Sequence, residues 1–153
     1  MSVDSRMKGA RAEADLAKKL STAYGLNFKR VPASGALHES HGLKGDLYIP
    51  NATNIYAIEI KHYKDDHLTS SVLTSKNPQL IAWWSQAVRQ GIQVGRKPIL
   101  FFKFDRSKFF VALNVEPEHL DLDKYMLIKH DSYEFIVFEF EYFIESVDIR
   151  WTV

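Results

Sequence analysis

The clearest pattern in the chain is a period of two on either side of a polar turn, between Gly45 and Lys61. Gly45-Asp-Leu-Tyr-Ile-Pro50 and Tyr56-Ala-Ile-Glu-Ile-Lys61 read as two strands of a hairpin centred on Ala52-Thr53. An antiparallel pair with that centre sets Asp46 opposite Glu59. Lys61 lies two residues beyond Glu59, so it shares that face, while Tyr56, Ile58 and Ile60 point into a core. Two carboxylates and an ammonium on an otherwise apolar hairpin cost free energy unless something uses them.

A period near 3.6 marks two helices. The first is predicted over residues 5–24, with Asp4 or Ser5 as N-cap and Gly25 as its stop. Its apolar stripe is Leu16, Ala17, Leu20 and Tyr24, and Glu13 falls on the same stripe. By position alone that glutamate reads as lying past the core edge or pairing with a neighbouring Arg or Lys; the alternative is that it points into the same pocket as Asp46. The second helix is predicted from Asn77 to Gln90, with Pro78 in its first turn and Gly91 after its end. Leu80, Ile81, Trp84, Ala87 and Val88 form its buried stripe; Trp83 is expected to be partly exposed, where it could stack on a base, although a core or subunit-interface role is favoured.

Short strands fill the remainder. Leu26–Val31 carries Lys29 and Arg30, then breaks at Pro32-Ala-Ser-Gly35. Ile99–Phe104 and Lys108–Leu113 form a hairpin around Asp105-Arg106-Ser107, the first strand apolar enough to be buried on both faces. A helix-like turn over Pro117–Asp123 leads into a last hairpin, Tyr125–Lys129 with Glu134–Tyr142. Phe138, Phe140 and Tyr142 alternate there with Glu139 and Glu141, as in a half-exposed strand. The order α-β-β-β-α-β-β, followed by a β-rich tail, predicts an α/β (α+β) domain with a mixed central sheet flanked by helices.

Composition narrows the class. At 153 residues, 46% hydrophobic and 25% charged, the chain suits one globular domain. It shows no apolar run that would span a bilayer and no signal-peptide pattern, and it has no cysteine. A cytoplasmic protein without disulfides or thiolate metal sites is expected. The net charge of +1 conceals an asymmetry: residues 1–114 hold 17 Lys/Arg and 9 Asp/Glu, residues 115–153 hold 3 and 10. A basic body with an acidic tail is consistent with a polyanion-binding surface that the tail does not line, and equally with an unevenly charged solvated surface.

The chemistry centres on Asp46, Glu59 and Lys61. A close carboxylate pair resists double ionisation unless a cation lies between. Oxygen-only ligation, with the Ile60 carbonyl as a further donor, suits Mg²⁺ or Mn²⁺. A lysine beside such a metal can hold or deprotonate an attacking water and offset charge on a phosphoryl transition state. A bare Asp…Glu-x-Lys is nonetheless more often a cross-strand ion pair. His38 and His41, in a polar loop without further ligands at zinc spacing, are not read as metal ligands.

Gly45-Asp46 followed after 12 residues by Glu59-Ile60-Lys61 on an apolar strand resembles the PD-(D/E)xK nuclease signature, with Gly45 where proline is frequent. More specifically, the chain resembles the archaeal-type Holliday junction resolvases, which also occur in phages. The matching stretches are Lys8-Gly-Ala-Arg-Ala-Glu13, Arg30-Val-Pro-Ala-Ser-Gly35, Gly45-Asp46, Glu59-Ile-Lys61 and Lys64-Asp-Asp-His-Leu68. They span roughly residues 6–114, and the stretch after Val115 has no counterpart.

The resemblance implies a restriction-endonuclease-like fold, with a nuclease core over residues 1–114 and an acidic extension, 115–153, packed on the same domain. It implies Glu13 as the first-helix catalytic glutamate near the metal, Asp46 and Glu59 as metal ligands and Lys61 as the catalytic lysine. Arg30 and Ser34 correspond to groups that approach the scissile phosphate, and Gln79 to a glutamine near the second helix start. Ala14 replaces an arginine found in some relatives. Lys8, Arg11, Lys29, Arg30, Lys44, Lys64 and Lys76 would neutralise phosphates of branched double-stranded DNA. Paired cuts in a four-way junction imply a homodimer, with Trp83 and Trp84 as a candidate interface and no small-molecule cofactor beyond the metal. The competing expectations are a nuclease of the same fold acting in repair, restriction or phage DNA degradation, and a non-cleaving DNA-binding dimer.

Overall fold

The computed structural model describes residues 3–32 and 45–153. Seven strands form one mixed sheet in the order β1-β2-β3-β4-β5-β7-β6. Helix α1 (Val3–Tyr24) precedes β1 (Lys29–Arg30), β2 (Leu47–Tyr48) and β3 (Tyr56–Tyr63). A single turn, α2 (Ser71–Thr74), leads to α3 (Gln79–Val94), β4 (Lys97–Phe104) and β5 (Phe110–Leu113). A 3₁₀ turn (Pro117–Asp121), β6 (Met126–His130), β7 (Tyr133–Glu139) and α4 (Phe140–Ser146) complete the chain. Strands β3 and β4 run parallel and the other neighbours antiparallel. The parallel pair requires a crossover, and α3 supplies it.

The core has two layers divided by the sheet. Leu16 and Leu20 of α1 and Phe143 of α4 pack on Ile58, Ile60, Ile99 and Phe101. On the other face Leu80, Trp84 and Ala87 of α3 meet Leu100, Phe102 and Phe135. Ile99 through Phe102 are all buried, so β4 is the doubly covered centre that its apolar run predicts. Among the described residues no helix is long and apolar enough to cross a membrane.

Several boundaries move, each for a local reason. Helix α1 starts at Val3, so Asp4 and Ser5 lie inside it, while Gly25 at φ +65° ends it as expected. Pairing in β1 shrinks to two residues because the Phe28 amide is drawn to Ser21 Oγ (3.0 Å) instead. Helix α3 runs through Gly91 and stops at Gly95, φ +66°. Gly91 is needed inside the helix, because a Cβ there would stand 2.5 Å from the Arg96 carbonyl oxygen. Trp83 is buried, not partly exposed, and with Trp84 it belongs to the protomer's own core. Neither tryptophan is free to form a subunit interface.

The last predicted strand also divides. Glu139 accepts a hydrogen bond from the Tyr142 amide (3.0 Å), caps α4 and turns Phe140 and Tyr142 into helix. Strand β7 then pairs with β5 over four positions, inside the sheet rather than beside it. The extreme C-terminal residues return to the Asp46 hairpin: Ile55 N–H donates to Trp151 O and Val153 N–H to Thr53 O (2.9 and 3.0 Å).

Gly91→Ala tests the tight approach of α3 to Arg96. Alanine in a helix interior ordinarily gains about 1 kcal/mol over glycine. Here the contact with backbone is expected to reverse the sign, to a loss of about 1–3 kcal/mol in denaturant unfolding.

Candidate active site

Asn54 shapes the hairpin. Its buried side chain accepts from the Ile49 amide (2.8 Å) and donates to the Ile49 and Ala52 carbonyls (2.9 and 3.0 Å). Leu47 faces Ile58, the register that sets Asp46 against Glu59. The ladder ends there. Asp46 turns its carbonyl to the Val31 amide (2.9 Å), and its Oδ2 accepts from the Ile60 amide (2.7 Å). Gly45 permits this with φ +90°, where any Cβ would strike the Ile58 carbonyl. Proline cannot adopt that φ, which explains the glycine at a position where proline is frequent in the signature.

Asp46, Glu59, Ile60 and Lys61 share one cavity of about 640 Å³ with Glu13 and Arg30. Glu59 is 5% exposed. Its Oε1 lies 3.5 Å from Lys61 Nζ and 3.3 Å from Gln86 Nε2, whereas Oε2 is buried without a hydrogen-bond partner. Glu13 extends from α1 and pairs with Arg30 Nε at 3.1 Å. Of its two sequence readings, the one that points it into the Asp46 pocket is the observed one, with the basic neighbour present as well.

These carboxyl groups are held against their own charge. Burial pushes Asp46 well above the usual carboxylate range, and the charges of Glu59 and Glu13 push it further. The Ile60 amide and Lys61 act in the opposite sense. Burial raises Glu59 too, opposed chiefly by Lys61. Among the described residues no three His, Asp or Glu side chains form a complete metal cage. What is present is an oxygen-only donor set: two charge-strained carboxylates, one with an orphaned oxygen, beside the Ile60 backbone. That chemistry fits a hard divalent cation.

The expected basic residues separate into groups. Lys64 lines the same cavity, as does Lys8, but Lys8 is bound by Asp105 at 2.8 and 3.0 Å. Asp105 also meets His62 Nε2 at 3.0 Å and so joins the β4–β5 turn to α1 and β3. Arg11 lines an adjoining cleft with Lys8, His62 and Asp105. Lys29 and Lys76 are exposed and line no part of the cavity. Ser34 and Lys44 lie outside the described residues, as do His38 and His41.

Sequence reasoning missed Gln86. The glutamine that reaches Glu59 is on the third turn of α3, two turns beyond Gln79. Its signal was available: Gln86 and Gln90 stand one turn apart beside an apolar stripe, much as Glu13 does on α1. Asp105 and His62 were not foreseeable, because they meet only through the parallel pairing of β3 with β4.

A helix-borne glutamate, an aspartate at a ladder's end and Glu-x-Lys on the adjoining strand thus meet in one cavity, in the arrangement expected from the resemblance to the PD-(D/E)xK nucleases. The chain belongs to the family described as "Phage putative PDDEXK endonuclease", whose profile matches residues 4–153. It is 36% identical to Protein D14 of Escherichia phage T5 over 156 residues, 98% of each protein. A solved structure, the Holliday junction resolvase Hjc of Archaeoglobus fulgidus, is 21% identical with a TM-score of 0.43, over 86% of this chain and 84% of that one. The family match runs through the acidic C-terminal part, for which the motifs alone gave no counterpart.

The raised carboxyls give a pH dependence of stability with a definite sign. Without metal, the folded site keeps protons that the unfolded chain has already lost, so stability falls as pH rises from the ordinary carboxylate range through the raised values. Asp46→Asn is expected to flatten that fall. It should also raise the melting temperature near neutral pH by a few degrees, the shift that about 1 kcal/mol gives in a domain of this size. Thermal melts across pH in the presence of a chelator measure both.

Proposed function

We propose that the protein is a metal-dependent, structure-selective DNA endonuclease that cleaves four-way (Holliday) junctions by paired phosphodiester hydrolysis. The observation that carries catalysis is the convergence of Glu13, Asp46, Glu59 and Lys61, drawn from α1, the position just before β2, and β3, in one cavity. The junction as substrate is supported by the ordered motifs from Lys8 to Leu68, which resemble those of the junction resolvases.

Asp46, Glu59 and the Ile60 carbonyl would hold Mg²⁺ or Mn²⁺, with Glu13 alongside; when bound, the ion supplies a Lewis acid for the phosphate and acidifies water. Lys61 Nζ orients the attacking water and offsets charge developing on the phosphoryl oxygens. The water oxygen attacks phosphorus in line and gives up a proton to solvent, while the bond from phosphorus to the leaving sugar oxygen breaks and that oxygen takes a proton from water to become a hydroxyl. Gln86, donating to Glu59 Oε1, keeps that carboxylate turned toward Lys61. Arg30 approaches the phosphate while Glu13 steadies its guanidinium.

Two opposed cuts need two sites, so the acting species is a homodimer, with an interface other than the buried Trp83 and Trp84. Residues 1–114 carry the site and the cations. Of the acidic stretch 115–153, β7 and β6 complete the sheet at the end remote from β1 and β2, which would keep most of its charge away from DNA. The reaction takes place in the cytoplasm of the phage host.

A labelled four-way junction and the matching linear duplex, incubated in parallel with Mg²⁺, test this reading. Paired symmetrical nicks in the junction, with the duplex spared, are expected. Equal cutting of both would replace the junction with DNA in general, and binding without cutting at any divalent metal would remove catalysis. Asp46→Asn is expected to bind the junction and lose at least about a hundredfold in cleavage rate.

A further inference from the structure

The cavity has an aromatic edge that the hydrolytic chemistry leaves unused. Tyr63 is the last residue of β3 and lies two positions beyond Lys61, on the same face of the strand. At about 3.3 Å per residue, its backbone stands roughly 7 Å from Lys61 and 13 Å from Glu59. It lines the active-site cavity together with Lys64, yet 41% of its surface is exposed. A large aromatic side chain left open in a cavity whose other long side chains are mostly charged has a face available for something apolar and flat.

The ring is also held in place. Its centroid lies 4.8 Å from Trp83 and 6.0 Å from His67, and His67 and Trp83 are 5.1 Å apart. Trp83 is 3% exposed and packs on Phe102 of β4 (6.1 Å), so the core backs the cluster. Of the roles open to Trp83 on the sequence, the favoured core position is the one it takes, and it is not exposed for stacking on a base. Instead Trp83 lies behind Tyr63 and presents Tyr63 to the cavity. A ring already fixed by its neighbours loses little freedom when it is covered.

We infer that Tyr63 is a stacking platform for a nucleobase with one face left unstacked, one or two nucleotides from the cut phosphate. Every base has a π-face, so stacking needs no particular sequence. Inside a duplex both faces of each base are taken by neighbours, and freeing one costs energy that a branch point, gap or flap has already supplied. Lys64, next to Tyr63 on the same cavity wall, meets the phosphate of the same nucleotide. The platform thereby favours DNA with unstacked bases beside the cut. It rests on the reading of the cavity as a DNA-cleaving site and narrows the substrate class from DNA to branched or locally single-stranded DNA.

The test uses the full chain with Tyr63 intact, Tyr63→Phe or Tyr63→Leu, in chelator so that no strand is cut. The probes are a four-way junction and a gapped duplex carrying 2-aminopurine in the base pair that borders the branch or gap, and an intact duplex with the same label. Expected is a change in 2-aminopurine emission on binding that survives Tyr63→Phe and is lost in Tyr63→Leu. Tyr63→Leu should also bind the junction and the gapped duplex about tenfold more weakly with intact-duplex affinity unchanged. Thermal melting confirms that each variant is folded, and Tyr63→Phe keeps the test open should Tyr63→Leu unfold. Emission and affinity unchanged in Tyr63→Leu would overturn the proposal, as would equal weakening on all three probes. No emission change with the unaltered protein, when a parallel assay in Mg²⁺ shows junction cutting intact, removes only the platform, whereas failure of the unaltered protein to bind any probe removes the nuclease reading with it.

Discussion

The hydrogen bond from the Ile60 amide to Asp46 Oδ2 is the constraint on which the site depends. Ile60 is buried in a strand interior, and its N–H needs an acceptor where β2 no longer supplies a carbonyl. The Asp46 carboxylate fills that place. A requirement of the backbone therefore fixes a side chain beside Glu59, at the point where β2 leaves β3 for β1. The same departure opens the cavity. Electrostatic strain in the two carboxyls is the cost of this geometry, and a bound cation is the most direct way to offset it.

The position of the opening decides which elements can contribute. α1 covers the Ile58 and Ile60 face of the sheet, and α3 covers the opposite face, where Glu59 points. In the middle of the sheet no side chain from one layer could reach the other. At the margin left by β2, Glu13 from one layer and the Glu59–Gln86 pair from the other meet around Asp46. The doubly buried β4 holds the two layers in fixed relation through its parallel pairing with β3.

The parts of the site that could be read from the sequence were those fixed by local periodicity. The shared face of Asp46, Glu59 and Lys61 follows from a period of two and a short turn, whereas the stripe position of Glu13 alone favoured a core-edge ion pair and only the resemblance to the nucleases placed it at the site. Failures arose where one pattern served two structures. Phe138, Phe140 and Tyr142 alternate like a strand, but the Glu139 side chain captures the Tyr142 amide and starts a helix. Gly91 resembles a helix stop, yet it is the residue that lets α3 lie against Arg96 before Gly95 ends it. Trp83 was misplaced because the buried surface of α3 is wider than one stripe, with Trp83, Trp84 and Leu80 all covered. The Lys8–Asp105–His62 cluster joins three elements distant in sequence, and no local pattern encodes it.

The return of Trp151–Val153 to the turn of the Asp46 hairpin links distant parts of the chain. The hairpin is local in sequence, but its turn is fastened by residues about a hundred positions away. It therefore cannot open as an independent unit: releasing the turn means releasing the C-terminal segment, and Trp151 with it from its place among Tyr24, Phe28 and Tyr56. The floor of the site and the far end of the chain belong to one cooperative unit, with amides expected to exchange together. A stretch that contributes no side chain to the cavity thereby shares in its rigidity.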